Sequence, residues 1–213
     1  SSLKKRKKNN SKLQILIASH CFTDAVHIHG NNIFIDYFDW IHFLGKISNK
    51  TNYDWFVKIH PNEYEKNVDK MLGIIKHYPK LNLLPKNTKN IDLLEKTDYV
   101  LTVYGSVGRE YPLFNIPVIN ASDNGPHQAY KFCHNVSTIN EYKKSILNIN
   151  KIKVRKKELK KVFEFYSLRY FLDFYFFGLN NALKMNKLIT SNKIDQYDLF
   201  NYFLKNFNIK KNN

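Results

Sequence analysis

Cysteine is scarce in this chain: Cys21 and Cys133 are the two among 213 residues. Two thiols cannot build a disulfide framework, so a disulfide-held fold is excluded and a reducing cytoplasm is the expected setting. Long apolar runs are also missing. No stretch of eighteen apolar residues is free of charge, so no bilayer-spanning helix is expected. The basic residues Lys4–Lys8 are followed by Asn9–Lys12 and not by an apolar segment, so no signal peptide is expected. The chain begins with Ser and not Met, which reads as a trimmed chain or a piece of a longer protein. Acid is in short supply: 18 Asp and Glu stand against 34 Lys and Arg, for a formal charge of +16. Such a balance suits nucleic acid, anionic lipid or an anionic substrate. Lys, Asn and Ile are all abundant, so part of the charge reads as a compositional bias on the surface. The basic excess sits at the ends and in Lys151–Lys161, not interleaved with aromatics on a strand pattern. Zinc-finger, RNA-recognition and basic-zipper signatures are lacking, and no nucleic-acid partner is expected.

What is present is a repeating alternation. Residues 1–12 read as a solvated basic tail. The apolar run Leu13–Ala18 reads as a buried strand. A polar loop follows from Ser19 to Asn32. Phe34, Tyr37, Phe38, Ile41, Leu44 and Ile47 have helical spacing. Trp55–Ile59 is the next strand, Asn62 a candidate N-cap, and Tyr64–Tyr78 a helix stopped by Pro79. Leu81–Leu84 is a strand, Ile91–Lys96 a short helix, Tyr99–Val103 a strand, Ser106–Phe114 a helix and Pro117–Asn120 a strand. Strands alternating with helices predict βαβ units, a parallel sheet and helices on both faces. The pattern fades near residue 150. The expected architecture is α/β: a Rossmann-like parallel sheet flanked by helices over 13–150, with a helical C-terminal extension over 151–213. Within that extension Val162–Phe177 holds twelve apolar or aromatic residues in sixteen. A helix apolar nearly all round is expected to be buried, against the sheet domain or a further domain, with membrane-surface docking as a third home.

Four segments carry candidate chemistry. The loop His20-Cys21-Phe22-Thr23-Asp24-Ala25-Val26-His27-Ile28-His29-Gly30 holds three histidines, a thiol and a carboxylate. Such a set can bind Zn²⁺, but its spacing matches no standard zinc motif, and a metal-free site is the expectation. His20 and Asp24 are the candidate catalytic residues, as acid, base or phosphate contact. In Lys58-Ile59-His60-Pro61-Asn62, Pro61 holds His60 extended and ends the strand there. His60 and Pro61 are candidate substrate contacts. In Thr102 through Glu110, Gly105 permits a tight strand-to-helix turn and Ser106 can cap the helix and hydrogen-bond a phosphate. Glu110 stands one turn in, within reach of a ribose hydroxyl. A capping box pairing Ser106 with Arg109 or Glu110 is the competing reading. The segment is neither a Walker motif nor a dinucleotide fingerprint. The fourth segment, Asp123–Tyr130, offers Gly125 and His127 in a turn that can close over a sugar, or serve as an ordinary surface turn.

Strand-end turns are where open parallel sheets bind ligands. An imidazole at one and Gly, Ser and backbone N–H groups at the other suit a nucleotide sugar, and so a glycosyltransferase.

Taken together, the loop Ala18–Ala25, the segment Phe34–Trp40, the turn Lys58–Asn62, and Thr102–Glu110 with Pro117–Ile119 resemble bacterial capsule and surface-polysaccharide synthesis proteins of the GT-B type, including the Kdo- and sialyltransferase-like ones. The His-Pro and Ser elements also look like those of teichoic-acid glycerophosphotransferases. The resemblance covers roughly residues 13–130. It implies that this is the donor-binding half of a two-domain enzyme, holding a nucleotide donor of cytidine type. It implies that His60 meets the donor phosphate or cytidine monophosphate, Ser106 the phosphate and Glu110 the ribose or sugar. It also implies an N-terminal acceptor domain, which in several relatives carries the catalytic base, and a glycan or glycolipid acceptor. Many relatives have two small hydroxyl residues where this chain has Gly105-Ser106. No cofactor is expected. The implied location is cytoplasmic, with the basic surface touching the inner membrane face. Two other readings remain open from the residues: a non-catalytic nucleotide- or glycan-binding module, and a metal-dependent hydrolase built on the His20–His29 loop.

Overall fold

A computed structural model describes residues 12–28, 32–125, 127–128 and 130–166. Six strands form one sheet: β1 (Gln14–Ala18), β2 (Asp54–Lys58), β3 (Leu81–Leu83), β4 (Tyr99–Thr102), β5 (Val118–Asn120) and β6 (His134–Asn135). Their spatial order is β3-β2-β1-β4-β5-β6, and every pairing is parallel. This is the doubly wound order, whose direction reverses between β1 and β4. The helices are α1 (Tyr37–Ser48), α2 (Glu65–Lys76), α3 (Asn90–Leu93), α4 (Val107–Glu110), α5 (Ile139–Leu147) and α6 (Lys156–Tyr166).

The central strands β1 and β4 are almost wholly buried and mostly apolar because both sheet faces are covered there. Ile15 and Ile17 of β1 join Trp55, Val57, Leu101 and Ile119 in a core closed by Trp40, Ile41 and Leu44 of α1, Met71 and Ile74 of α2, and Tyr142 and Ile146 of α5. The intervening Leu16 and Ala18 face the other way, into a second core with Val100, Val118, Leu93, Val107 and Tyr111. Register sets these layers: Ile17 lies beside both Val57 and Leu101, and Leu101 beside Ile119. Each such fully buried aliphatic side chain contributes about 1.5–3 kcal/mol.

The local chemistry corrects several expectations. Asn62 is not the cap of α2. The helix starts at Glu65, after Tyr64, which makes no side-chain cap bond. Buried Glu63 supplies the acceptor there, taking the Tyr64 N–H at 3.0 Å and the Asn67 amide at 2.8 Å. The helix expected from Phe34 begins at Tyr37, capped by the Asp36 carboxylate on the Asp39 N–H. The helix expected over Ser106–Phe114 is one α turn that tightens into a 3₁₀ turn at Tyr111–Phe114, with Pro112 in it and left-handed Asn115 ending it. Strand β6 and helix α5 lie where the sequence pattern offered no element. Helix α5 does carry a capping signature: Thr138 Oγ1 accepts from the Glu141 N–H at 3.1 Å, and Glu141 accepts from the Ser137 N–H.

The first compact unit runs through Phe163 and the second begins at Glu164. Of the second, the described part is the last three residues of α6. The Val162–Phe177 segment therefore lies outside the described residues beyond Tyr166. Among the described residues no helix is long and apolar enough to cross a membrane.

Candidate functional site

The strand order brings three loops together at the carboxyl ends of β1, β2 and β3, beside the turn that follows β4. They enclose a cleft of about 470 Å³. Its walls include Ser19 and His20 after β1, Lys58, His60 and Pro61 at the end of β2, Lys86 to Asn90 after β3, and Gly105 and Ser106 after β4. Three of these are lysines, and no carboxylate is among the described lining residues. The cleft sits at the reversal point of the sheet, where open α/β folds bind ligands.

His20 and His60 enter in opposite states. His20 is 6% exposed, stacked flat on Tyr37 with ring centroids 4.7 Å apart. Its Nε2 lies 3.1 Å from Thr102 Oγ1 and 3.4 Å from the Tyr104 N–H. Burial, with a smaller push from His60, drives its pKa down to about 3. The imidazole is thus neutral at pH 7, and it ties the end of β1 to the end of β4. His60 is half-buried. Its Nδ1 accepts from the Asn62 N–H at 3.3 Å and faces the Cys21 thiol at 3.1 Å. Nδ1 acceptance places the neutral ring's proton on Nε2, which can then donate to a ligand. The His60 N–H donates to Ser19 Oγ at 3.0 Å, so the β1 and β2 ends are tied as well. Burial pushes the Cys21 thiol up to about 11, and the charges of Glu63 and Asp24 add to this. Such a thiol is no nucleophile at neutral pH.

The turn after β4 needs a glycine for space. A Cβ on Gly105 would meet Thr102 Oγ1 at 2.8 Å, and Thr102 Oγ1 accepts the Gly105 N–H at 3.3 Å. Ser106 does not cap α4: its backbone is already helical and its side chain makes no cap bond. The capping box with Arg109 or Glu110 is likewise not formed at Ser106. Its side chain instead borders the cleft. Glu110 stands behind the lining, accepting from Asn90 Nδ2 at 3.4 Å. Lys58 loses part of its charge preference to burial, and Glu110 partly restores it.

The other sequence candidates lie elsewhere. Asp24 is exposed, in a turn where its N–H donates to the Cys21 carbonyl, and it is not among the lining residues. Gly125 takes a φ of +152°, a backbone region that glycine tolerates best, close to Tyr104. His127 is fully buried, stacked on Phe132 and 3.4 Å from Asn120 Nδ2. His27 is exposed, and its Nδ1 accepts from the Asn32 N–H. His29 and Gly30 lie outside the described residues. Among the described residues no cluster of three His, Cys, Asp or Glu side chains could hold a metal ion.

Sequence reasoning passed over the stretch Lys86-Asn87-Thr88-Lys89-Asn90. Its signal was present: two lysines and three small polar residues following a strand, in line with the other two strand-end turns. It also passed over Glu63. That carboxylate takes the Phe22 N–H at 2.7 Å as well as the Tyr64 N–H and the Asn67 amide, and so pins the β1 loop to the start of α2.

No family model matches the chain, and no curated protein matches it. Similar solved structures include the wall teichoic acid polymerase TagF, at 14% identity and TM-score 0.45, over 73% of this chain and 38% of that one. Another is UDP-GlcNAc 2-epimerase from Neisseria meningitidis bound to UDP-GlcNAc, at 13% identity and TM-score 0.46, over 72% of this chain and 39% of that one. The chain thus spans well under half the length of either.

Proposed function

We infer that the strand-end cleft holds the phosphates of a nucleotide sugar, of cytidine type, and that the chain is the donor-binding half of a GT-B glycosyltransferase of surface-polysaccharide synthesis. The observation that carries this is the lining itself. Lys58, Lys86 and Lys89, with the hydroxyls of Ser19, Thr88 and Ser106, meet at the sheet's reversal point with no carboxylate among the described lining residues. That is the composition an anionic ligand requires. In the transfer, an acceptor hydroxyl oxygen bonds to the anomeric carbon as the bond from that carbon to the nucleotide phosphate oxygen breaks. The electron pair leaves with the phosphate, where the lysines and His60 Nε2–H stabilise it. The hydroxyl proton goes to a base on the acceptor side.

A second reading has its own support. His20 is buried and neutral, no carboxylate lines the cleft, and His60 Nδ1 already accepts the Asn62 N–H, so neither imidazole of the described lining stands ready as a base. A binding module without turnover fits that as well. Calorimetric titration separates the readings in steps. Cytidine diphosphate is expected to bind more tightly than cytidine, and removal of Lys86 and Lys89 to erase the difference. Absence of any nucleotide binding at millimolar ligand overturns both readings. Binding without transfer, when an acceptor domain is supplied, leaves the binding module.

A further inference from the structure

The loops after β1 and β2 meet at one imidazole nitrogen. Cys21 Sγ lies 3.1 Å from His60 Nδ1, and the Asn62 N–H reaches the same atom at 3.3 Å. Both chain neighbours of Cys21 are fixed in place. The His20 ring is stacked on Tyr37, and the Phe22 N–H is held by the Glu63 carboxylate. The Cys21 carbonyl also takes the Asp24 N–H. The β1 loop thus presents this sulfur to the ring and leaves the residue 5% exposed. Two residues earlier, Ser19 Oγ accepts the His60 N–H at 3.0 Å, so the same loop grips the backbone of His60 as well as its ring.

A thiol in this place can only serve as a donor. Burial, with Glu63 and Asp24 adding to it, pushes it up to about 11, so the S–H stays intact at pH 7. A neutral imidazole has one donor and one acceptor nitrogen. A backbone N–H cannot accept, so the Asn62 N–H makes Nδ1 the acceptor, and the S–H shares that lone pair in a three-centre arrangement. The two donors differ in their surroundings. Asn62 is exposed in its turn, where water competes for its N–H. The Cys21 sulfur is screened from water. An S–H is a weak donor, but no solvent stands ready to take its place. The choice of tautomer matters for the cleft. With the proton on Nδ1, the ring would offer a bare Nε2 acceptor, which cannot bond the acceptor oxygens of an ionised phosphate.

We propose that Cys21 is the positioning residue of His60: its S–H donates to Nδ1 and holds the ring in the tautomer whose Nε2–H is free to donate to a ligand. The tautomer belongs to the ligand-free chain; its use on a phosphate rests on the cleft being a nucleotide site.

The test uses the full chain with ¹⁵N-labelled histidine, the His60 signals being assigned by their loss in His60→Gln. Long-range proton–nitrogen spectra of the ligand-free chain read which ring nitrogen carries the proton. The native ring is expected to carry it on Nε2. Cys21→Ala is expected to shift the His60 ring signals towards a mixture of tautomers, and Cys21→Ser, which keeps a donor, to restore the native pattern. If Cys21→Ala does not fold, Cys21→Val removes the donor at similar size and is expected to give the same shift. Titration then reads the consequence. Cys21→Ala is expected to bind cytidine diphosphate about threefold to tenfold more weakly, the scale of one hydrogen bond, and cytidine as the native chain does. In a His60→Gln background the same change is expected to cost nothing further. A native proton on Nδ1, or His60 signals unmoved by loss of the thiol, would overturn the proposal. So would an equal loss of affinity with His60 already replaced, which would give Cys21 a role that does not pass through the ring. If the native chain fails to bind cytidine diphosphate, the nucleotide reading of the cleft falls, and the ligand-free spectra still decide the role of Cys21.

Discussion

The loops after β1 and after β3 wall the same cleft, and they are built in opposite ways. The first is bolted down. His20 is stacked on Tyr37, Tyr104 donates its hydroxyl to the Ala25 carbonyl, and Glu63 takes the Phe22 N–H. The second is a tight polar turn, in which the Thr88 N–H meets the Pro85 carbonyl and Lys86 and Lys89 stand exposed. The anchored wall gives the cleft its shape, and its side chains are paid for in folding free energy. The cationic wall gives the cleft its charge while burying little. Shape and charge therefore come from different residues and should separate on mutation.

The largest effect expected is on the anchored wall. Tyr37 is 1% exposed, stacks on His20 and shares a 2.5 Å hydrogen bond with the Tyr104 hydroxyl. Tyr37→Ala should cost about 3–5 kcal/mol of folding stability, the range for losing a buried aromatic ring. Denaturant unfolding measures this. A loss below about 1 kcal/mol would show that the two walls do not differ in kind.

Next in size is an acid sensitivity written into the anchored wall. The His20 pKa is about 3 in the folded chain, against 6.5 for an ordinary histidine. Between those values the unfolded chain binds a proton that the folded chain refuses. Protonation therefore favours unfolding, and stability falls as pH falls from about 6.5 towards 3, by up to about 1.4 kcal/mol per unit. Below about 3 both states are protonated and this loss ends. Carboxylates titrate in the same window, so the useful quantity is the difference between the native chain and His20→Asn. Melting curves from pH 7 to 4 should show the variant losing less. Parallel curves would mean that His20 gains its proton without penalty.

The two walls also differ in how legible they were. Leu13–Ala18 reads as a strand because Ile15, Leu16, Ile17 and Ala18 must satisfy two cores at once. His60-Pro61 reads as a strand end because proline dictates the backbone before it. His20 was legible as a residue of the strand-end loop, but its burial depends on Tyr37 and Tyr104, which no local pattern connects to it. Lys86–Asn90 looked like any surface turn, since β3 is three residues long and only the sheet order carries its loop to the cleft. Ser106 shows the reverse error: a good capping residue in a good place, beside a helix of a single turn that it does not cap. His127 shows that a polar turn residue can sit fully inside the core.

On the cationic wall the expected change is in binding and not in folding. Lys86→Gln with Lys89→Gln should leave stability within about 0.5 kcal/mol, as for most surface substitutions. The same pair should weaken cytidine diphosphate about tenfold, equivalent to about 1.4 kcal/mol, and less so at high salt. Calorimetry at two ionic strengths measures both parts. Unchanged affinity, with stability lowered, would assign the β3 loop the structural role now given to the β1 loop.

Ser106→Ala should have the smallest effect and sharpens the comparison most. Its hydroxyl makes no cap bond, so α4 has nothing to lose there, and stability should hold within about 0.5 kcal/mol. A capping serine would instead cost about 0.5–2 kcal/mol when truncated. If the hydroxyl donates to a ligand phosphate, binding should weaken by about 0.5–1.5 kcal/mol, the scale of one hydrogen bond. Cytidine itself, lacking phosphate, should bind the variant and the native chain alike. Loss of cytidine affinity in the variant would move Ser106 from the phosphate to the nucleoside. Loss of stability would return it to the frame of the fold, as part of the anchored wall and not of the site.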